Sequence, residues 1–512
     1  MAQEVSGLSK LWKTEDWLAV WFGFFIIILV LIGVKPTLPT FKWTMETEFA
    51  GLAEKTTPTV DKLAATAVEK GEADLQPSLA ALKTALAGKD RKAIGEAAKN
   101  LGETAKAAKD PGLKKKAGET AKTLSSNASA LPGKVFAASN FVNSLIILVG
   151  IGILALIGLG ILGQSPGKFI SGFPVVFIIA WISLFLAGNF TINEYGLEYV
   201  LWCLFMGLFV SNVLGVPDWL KPAVQTEFYI KIGLVILGAG ILFGEILQAG
   251  VYGIVQAFLV ICVVWYFCYW LCRKMGIDED FAALLSSAVS ICGVSAAIAT
   301  SGAIKGDPKK LSYVTSMVLI CAVPMLVLQP IIAKSVGMNE LVAGAWIGGT
   351  LDTSGSVVAA GALVSETAMK IGVIVKMAQN VFIGFAAFAL AIWWTCKKCA
   401  ATPGAPRPGA GEIWERFPKF VLGFMISSVV FSFLLSPALV GATKSLLTGL
   451  RTWWFALAFT CIGLETKFTD LAKLGGGRPA LAFVIAQGVN IIWTLLLAYC
   501  IFSGVFFPPP AM

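Results

Sequence analysis

The chain has 512 residues, of which 57% are hydrophobic and only 14% are charged, and it contains no histidine. Soluble domains are nearer half apolar and a quarter charged, so this composition indicates a membrane protein. Without histidine the chain cannot form a Ser-His-Asp or Cys-His nucleophilic site, a zinc site with histidine ligands or an imidazole proton relay. We therefore expect no enzymatic activity.

The formal net charge of +9 does not indicate a nucleic-acid partner. The Lys and Arg residues lie mainly in one polar segment and in short loops beside apolar spans, where they set membrane topology. Most cysteines stand singly in apolar spans, which is typical of small buried hydrophobes. The pair Cys396 and Cys399 forms a lone CxxC that lacks the further ligands zinc needs, so we predict no metal site.

Three regions follow one another along the chain. Residues 1–43 contain a first transmembrane helix, from Asp16 to Val34, with tryptophans near its start as interface anchors. Residues 44–134 are rich in Ala, Lys, Glu and Thr. Residues 135–512 form the transmembrane core, in which apolar segments follow one another through short loops.

The polar region 44–134 is predicted to form a small helical hairpin or short bundle outside the membrane. Leu79, Leu82 and Leu86 fall on one helical face, and prolines divide the region into helical pieces. A solvated insert between spans is the simpler interpretation of this region. A docking module for a partner is the alternative.

The core is predicted to be an all-α polytopic bundle of about 11 to 13 membrane segments. Uninterrupted spans are expected near 138–162, 173–189, 196–214, 227–247, 251–271, 312–335, 371–394, 419–437, 447–464 and 479–503. Short connections of this kind are typical of a transporter or channel.

Positive charge orients the predicted bundle. The loop between residues 396 and 419 is rich in Lys and Arg and is therefore expected to be cytoplasmic, whereas residues 189–196 carry no positive charge. Counting spans from this loop places the N-terminus inside, and the polar insert and the C-terminus outside. The expected location is the bacterial cytoplasmic (inner) membrane.

Two further apolar segments, 281–303 and 342–363, are interrupted by polar residues and glycines. Basic residues flank the first segment on both sides, including Arg273 and Lys310. If both flanks are cytoplasmic, each segment enters and leaves on one side, and the two meet near the midplane from opposite faces. If both cross fully, the rest of the topology is unchanged.

Backbone that is broken at membrane depth survives only where protein or a water-filled cavity satisfies its polar groups, so these segments are the candidate substrate site. Glycine lets backbone approach a ligand, hydroxyls form hydrogen bonds with it, and a half-helix N-terminus attracts an anion. Close packing of helices through small residues is the alternative. The candidate ligands are Ser290, Gly293, Ser295, Gly349, Thr350, Thr353, Ser354 and Ser356.

Asp352 lies in the middle of the second segment. An ionisable residue at membrane depth is costly, so it is usually placed to handle an ion or substrate. We predict that Asp352 binds a coupling proton or Na⁺, because a carboxylate suits either cation.

Lys376 is the candidate cation for binding an anion. Asn380 lies four positions later on the same helix face. Lys231, early in its span, is a weaker candidate, since a lysine near a span end often extends to the headgroups.

The motifs FYIKIGLVILGAGI, SICGVSAAIATSGAIKGD, GAWIGGTLDTSGSVVAAGA and IVKMAQN follow in this order. In order and spacing they resemble the YeiH-type sulfate exporter family of bacterial membrane proteins, over roughly residues 173–503. The family is similar to bile-acid:sodium symporters and cation/proton antiporters. The resemblance implies inverted repeats, with two broken helices crossing at the substrate site, at 292–295 and 348–356. It also implies export of sulfate, sulfite or a small sulfonate.

The chain departs from the family at the second crossing. Many members read Gly-Ala-Thr-Ile-His-Glu there, whereas this chain has Asp352 and Thr353 near the corresponding positions. A titrating group for cation coupling at this place is therefore expected to be a carboxylate.

Taken together, these patterns predict a secondary active transporter of a small inorganic or organic anion that works by alternating access. The expected partners are the anion and the lipid bilayer, and no nucleic-acid partner is expected. Assembly into a homo-oligomer is a further alternative. No cofactor is expected beyond Na⁺ or H⁺ as coupling ion. An anion channel or passive pore, a transporter for bicarbonate or a carboxylate, and a sensory or scaffold protein are the alternatives.

Overall fold

A computed structural model describes residues 12–195, 197–304, 306–399, 414, 417–467 and 477–510, with the backbone alone at 308, 312 and 395–399. The helices in chain order are α1 (Glu15–Leu31), α2 (Glu46–Glu69), α3 (Leu75–Gly88), α4 (Arg91–Ala105), α5 (Pro111–Ser129), α6 (Pro132–Val135), α7 (Ala138–Ile161), α8 (Pro166–Ala187), α9 (Phe190–Glu194), α10 (Tyr199–Phe209), α11 (Thr226–Gly238), α12 (Phe243–Val260), α13 (Tyr266–Lys274), α14 (Glu279–Ser287), α15 (Gly293–Ile304), α16 (Pro308–Ser335), α17 (Glu340–Thr350), α18 (Ser354–Val364), α19 (Glu366–Cys399), α20 (Lys419–Val429), α21 (Pro437–Glu465) and α22 (Arg478–Phe502).

The chain divides into two compact units, and one of them comprises residues 36–150 and 181–202. Its centre is a bundle of α2 to α5 around one hydrophobic cluster. Leu79 and Leu82 are fully buried and Leu86 is 6% exposed, which confirms the predicted apolar face. The polar region therefore folds as a four-helix bundle with its own core.

Arg91 ties the ends of this bundle together. The side chain is 9% exposed, and it donates hydrogen bonds to the carbonyl oxygens of Thr44, Asn127, Ala128 and Ala130 at 2.8 to 3.0 Å. A guanidinium suits this role because its planar set of N–H groups can reach several carbonyls at once. The bundle is thus held at its N-terminal and C-terminal ends by one residue.

The second unit comprises residues 1–35, 151–180 and 203–512, and most residues of the predicted membrane spans within it are helical. Across the described residues of the chain, eight helical stretches are long and apolar enough to cross a bilayer, and shorter apolar helices accompany them. This confirms an all-α polytopic membrane protein. The cytoplasmic loop predicted from charge lies mostly outside the described residues.

The predicted spans 227–247 and 251–271 have different boundaries in the structure. The segment 227–247 is not a single helix, because α11 ends at Gly238 and α12 begins at Phe243. At Gly238 a Cβ would lie 2.3 Å from the carbonyl oxygen of Phe424, so the close approach of α20 requires glycine there. The helix that begins at Phe243 continues through a π-helical turn as far as Lys274.

The first interrupted segment is a hairpin. Its 26 residues would be enough for one crossing, but α14 and α15 pack against each other on either side of a π-helical turn, Ala288–Cys292. The ammonium of Lys310, just after α15, lies 2.8 Å from the carboxylate of Asp280 at the start of α14. The two ends of this first hairpin therefore lie close together.

The second interrupted segment is also a hairpin, made of α17 and α18. A Cβ added to Gly344 would lie 2.5 Å from the carbonyl oxygen of Ala368, and one added to Gly361 would lie 3.3 Å from the same oxygen. The turn of the hairpin is farther along α19, where Asn380 donates a hydrogen bond to Ser354 at 3.3 Å. Each arm has 11 residues, about 16 Å, which is half a bilayer.

The two hairpins approach from opposite ends of α19. The base of the second hairpin lies at Ala368, and the turn of the first lies at Lys376, which donates to the carbonyl of Ile291 at 2.6 Å. The first hairpin then continues along α19, where Ala299 and Ala387 share one hydrophobic cluster. The geometry therefore favours the re-entrant alternative over full crossings.

Helix α16 supports the same arrangement independently. Its N-terminal half lies beside the first hairpin, since a Cβ on Gly293 would lie 2.3 Å from Val318 Cγ1. Its C-terminal half lies beside the second hairpin, where Gln329 donates to Thr350 Oγ1 at 2.8 Å. A hairpin followed by a long helix thus occurs twice with opposite orientation, as inverted repeats require.

Candidate functional site

The turns of the two hairpins touch each other, and we call this place the junction (residues 288–293 and 351–354). A Cβ on Gly293 would lie 3.0 Å from Asp352 Cβ and 3.1 Å from the Asp352 carbonyl oxygen. Any larger residue would separate the turns. The two segments that the sequence singled out are therefore brought together, and Gly293 permits their contact.

Two helices begin at the junction. Helix α15 begins at Gly293 and α18 begins at Ser354, and the side chain of Thr353 caps α18 by accepting a hydrogen bond from Ser356 N at 3.1 Å. The hydroxyls of Thr353 and Ser356 also lie 2.7 Å apart. The first N–H groups of a helix have no intrahelical partner and carry the positive end of its dipole, so the junction attracts negative charge.

Lys376 is buried behind the first turn, with 1% of its side chain exposed. Its ammonium donates to the carbonyl of Ile291 at 2.6 Å and to Gln379 Oε1 at 2.9 Å. Gln379 in turn donates to the carbonyls of Ser290 and Gly349, at 2.8 and 3.3 Å. One helical turn of α19 therefore connects the backbones of both hairpins.

Asp352 is 2% exposed, and its Oδ2 atom has no hydrogen-bond partner among the described residues. The Oδ1 atom of Asn380 is also buried, and no residue that the structure describes donates to it. A buried oxygen that lacks a donor is costly, because it has lost its hydrogen bonds to water. Asp352 therefore offers an acceptor for a cation or a proton, and Asn380 offers one for a cation.

A cavity of about 20 Å³ lies at the junction. This volume holds about one water molecule. It is lined by Ser295, Asp352, Thr353, Ser354 and Asn380, together with Glu227, Cys292, Val294, Ile383, Pro418 and Phe420. Five of the predicted site residues therefore face one space.

The other predicted residues lie behind this space. Ser290 donates its hydroxyl to the Ser286 carbonyl of its own helix at 2.7 Å, and Thr350 does the same with Trp346. At Gly349 a Cβ would lie 2.6 Å from Gln256 Nε2. These three residues support the backbone of the turns and are not among those lining the cavity.

Lys231 lies outside the junction and is surrounded by carboxylates. Its ammonium lies 2.6 Å from Glu15, 2.9 Å from Asp16 and 3.7 Å from Glu227. Because Glu227 also lines the cavity, this ion cluster lies next to the space at the junction. Lys231 therefore joins α1 to α11 in this structure and has no free charge to offer an anion.

Sequence reasoning missed four amides that hold the hairpins. Gln256 donates to Ala345 O, Gln487 to Thr350 O and Asn490 to Val289 O, at 2.8 to 3.0 Å, and Gln329 bonds Thr350 as described above. All four are at most 4% exposed. The sequence feature that could have identified them is a single amide in an otherwise apolar span, because a buried amide requires a hydrogen-bond partner.

A family model described as conserved hypothetical protein 698 matches residues 171–482. The chain belongs to this family, the UPF0324 membrane proteins. This confirms the resemblance seen in the motifs, and it covers both hairpins.

Similar curated proteins carry the same family description. A UPF0324 membrane protein of Rhodopirellula baltica is 42% identical over 357 residues, which are 67% of this chain and 65% of the relative. One of Nitratidesulfovibrio vulgaris is 38% identical over 70% of this chain and 64% of the relative. The chain thus spans about two thirds of the length of these relatives. The UPF0324 membrane protein TauZ of Paracoccus denitrificans is 26% identical over 62% of this chain and 91% of its own length. No solved structure matches the chain.

Proposed function

We propose that the protein is a secondary active transporter that moves a small anion by alternating access, coupled to a proton or Na⁺ bound at Asp352. The observation that carries the proposal is the junction, where two half-membrane hairpins from opposite ends of α19 meet at a buried carboxylate, with a buried ammonium on α19 beside them. Irregular backbone of this kind near the midplane is typical of transporter binding sites.

The junction has the features needed to hold an anion. The N-termini of α15 and α18 begin there, and the hydroxyls of Ser295, Thr353 and Ser354 line the cavity. The amino group of Lys376 lies close behind the first turn, where it donates to the carbonyl of Ile291. Helix N-termini, hydroxyls and a buried cation together favour an oxyanion over a neutral solute.

The position of Asp352 explains how coupling would arise. A carboxylate and an anionic substrate that share one small site repel each other, and the repulsion is strong at low dielectric. A proton or Na⁺ on the carboxylate removes that repulsion, so the cation and the anion bind more tightly together than separately. Reciprocal coupling of this kind makes the two move together.

The size of the cavity supports a gated carrier. A space of about 20 Å³ admits a water molecule but not an oxyanion. The elements around the junction must therefore move apart to admit the substrate. The ion cluster of Lys231 with Glu15, Asp16 and Glu227 is next to this space. These ion pairs would therefore separate when the junction opens to the side on which they lie.

The proposed substrate class is sulfate, sulfite or a small sulfonate, in line with the family resemblance. The proposed location is the bacterial cytoplasmic membrane, with the N-terminus inside and the polar insert and C-terminus outside, on the basis of loop charge.

Transport by Asp352→Asn tests the proposal. Wild type and variant are reconstituted in proteoliposomes, and uptake of radiolabelled sulfate, sulfite and methanesulfonate is measured with and without imposed proton and Na⁺ gradients. Wild type should accumulate at least one of these anions when a gradient is present, and the variant should lose that accumulation. The control is Asp218→Asn, at an aspartate whose side chain is 95% exposed, which should behave as wild type. Gradient-driven accumulation by Asp352→Asn at the wild-type rate would refute the role of Asp352.

A further inference from the structure

The unit made of residues 36–150 and 181–202 contains a cleft of about 760 Å³. One wall is a face of α5, on which Glu119, Lys122 and Ser126 follow at helical spacing. The opposite wall is formed by residues 187–190, 193 and 194, and Lys42 also lines the space. Clefts of roughly 300 to 1,000 Å³ are the size that small organic ligands occupy.

The wall opposite α5 is held by main-chain hydrogen bonds. Trp43 N donates to the carbonyl of Gly188 at 2.9 Å, and Phe190 N donates to the carbonyl of Trp43 at 3.0 Å. At Gly188 a Cβ would lie within bonding distance of the carbonyl oxygen of Phe41, so only glycine allows this contact. The cleft is therefore preformed, which lowers the entropy cost of binding a ligand.

Two lysines give the cleft a positive region. The ammonium of Lys42 donates to Ser126 Oγ at 2.9 Å, and Ser126 lies one helical turn after Lys122 on the same face of α5. Burial, and then the charge of Lys122, lower the pKa of Lys42. A bound anion would relieve both effects, because it stabilises the charged forms of both lysines.

The remaining lining groups narrow the class of ligand. Leu52 and Phe190 supply apolar contact for a carbon skeleton. Glu119 and Glu194 also line the cleft, and their negative charges disfavour a polyanion. Inorganic sulfate would leave most of 760 Å³ unfilled. These features fit a small organic molecule with one anionic head.

We propose that this cleft is a second ligand site, which binds a small organic anion bearing a carboxylate, sulfonate or phosphate group through Lys42 and Lys122. The residues of the cleft all belong to the unit of residues 36–150 and 181–202, whereas Asp352 belongs to the other unit. Binding at the cleft therefore does not depend on the proposed transport mechanism.

The test uses the purified full-length protein in detergent and isothermal titration with succinate, ethanesulfonate, glycerol 3-phosphate and inorganic sulfate. At least one organic probe should bind saturably to wild type. Its affinity should fall by about tenfold or more in both Lys42→Met and Lys122→Met, because each removes a charge from the anionic head. Lys116→Met is the control, since it removes an exposed charge from α5 that does not line the cleft.

The Asp352→Asn variant distinguishes the cleft from the transport site. Its affinity for the organic probe should equal that of wild type. Four results would overturn the proposal. The first is that no organic probe binds saturably, and the second is that both lysine variants keep the wild-type affinity. The third is that Asp352→Asn loses binding, and the fourth is that inorganic sulfate binds with the same affinity as the organic probes.

Discussion

The packing of the second hairpin on α19 predicts that Gly348→Ala is destabilising, although alanine is the better helix former. A Cβ at position 348 would lie 2.5 Å from the carbonyl oxygen of Gly372 and 2.9 Å from its Cα. Ordinary contact requires about 3.4 Å, so α17 and α19 must separate by about 0.9 Å. Neither helix can avoid the contact by a side-chain rotation, because the opposing atoms are backbone.

The expected magnitude is the balance of two effects. Overpacking costs about 1 to 3 kcal/mol, and replacing glycine by alanine inside a helix returns up to about 1 kcal/mol. With the full gain in helix propensity, we therefore expect a net destabilisation of up to about 2 kcal/mol for Gly348→Ala. The matched control is Gly488→Ala in α22, where a Cβ would meet no atom of the described part of the chain within 4 Å, so only the gain in helix propensity remains.

Thermal unfolding of both purified variants in the same detergent measures the difference. The unfolding temperature of Gly348→Ala should fall below that of wild type, and that of Gly488→Ala should equal or exceed it. Transport should also fall in Gly348→Ala, because the shift of α17 moves Asp352 away from the first hairpin. Equal unfolding temperatures for the two variants would refute the close packing of the hairpin against α19.

Three further predictions concern the ion cluster, the polar bundle and the hairpin orientation. Lys231→Met leaves three carboxylates without their cation and should lower the free energy of unfolding by about 1 to 3 kcal/mol. Lys221→Met removes an exposed ion pair and should cost less than about 1 kcal/mol in the same thermal assay. Arg91→Met should weaken the four-helix bundle by at least about 3 kcal/mol, since carbonyls lose their donor. The measurement is limited proteolysis: residues 46–129 of Arg91→Met should be cleaved faster than in wild type, while transport is retained. An unchanged rate of cleavage would contradict the prediction. Asp278→Cys and Asn339→Cys, at the bases of the two hairpins, should react with an impermeant thiol reagent from opposite membrane faces. Reaction from the same face would contradict the opposed hairpins.

Much of the architecture could be predicted because its signals are local. Apolar runs long enough to cross a bilayer, and the spacing of Leu79, Leu82 and Leu86, depend only on neighbouring residues. The two interrupted segments were identifiable for the same reason, since both combine glycines with hydroxyls in an apolar run and the second also contains an aspartate, which is unusual at membrane depth. Asp352, Thr353 and Ser354 accordingly line the cavity at the junction.

Contacts between distant parts of the chain could not be predicted in this way. Charge alone did not distinguish a hairpin from a full crossing at residues 279–304, because that choice depends on Lys310 reaching Asp280. By sequence Lys231 is a candidate anion ligand, whereas in the structure three carboxylates surround it, two of them more than 200 residues away in sequence. Glu15 and Asp16 lie on a different helix from Lys231, and sequence spacing does not reveal that contact.

The sequence by itself determined that this is a helical membrane protein with a polar helical insert, two interrupted apolar segments and a carboxylate in one of them. It did so because hydropathy and helical periodicity are properties of consecutive residues. Only the tertiary structure decided that both segments turn back, that they meet from opposite ends of α19 and that Lys376 joins them. Those features depend on which glycines allow backbones to touch and on which buried amides find a carbonyl, and both are set by packing between helices.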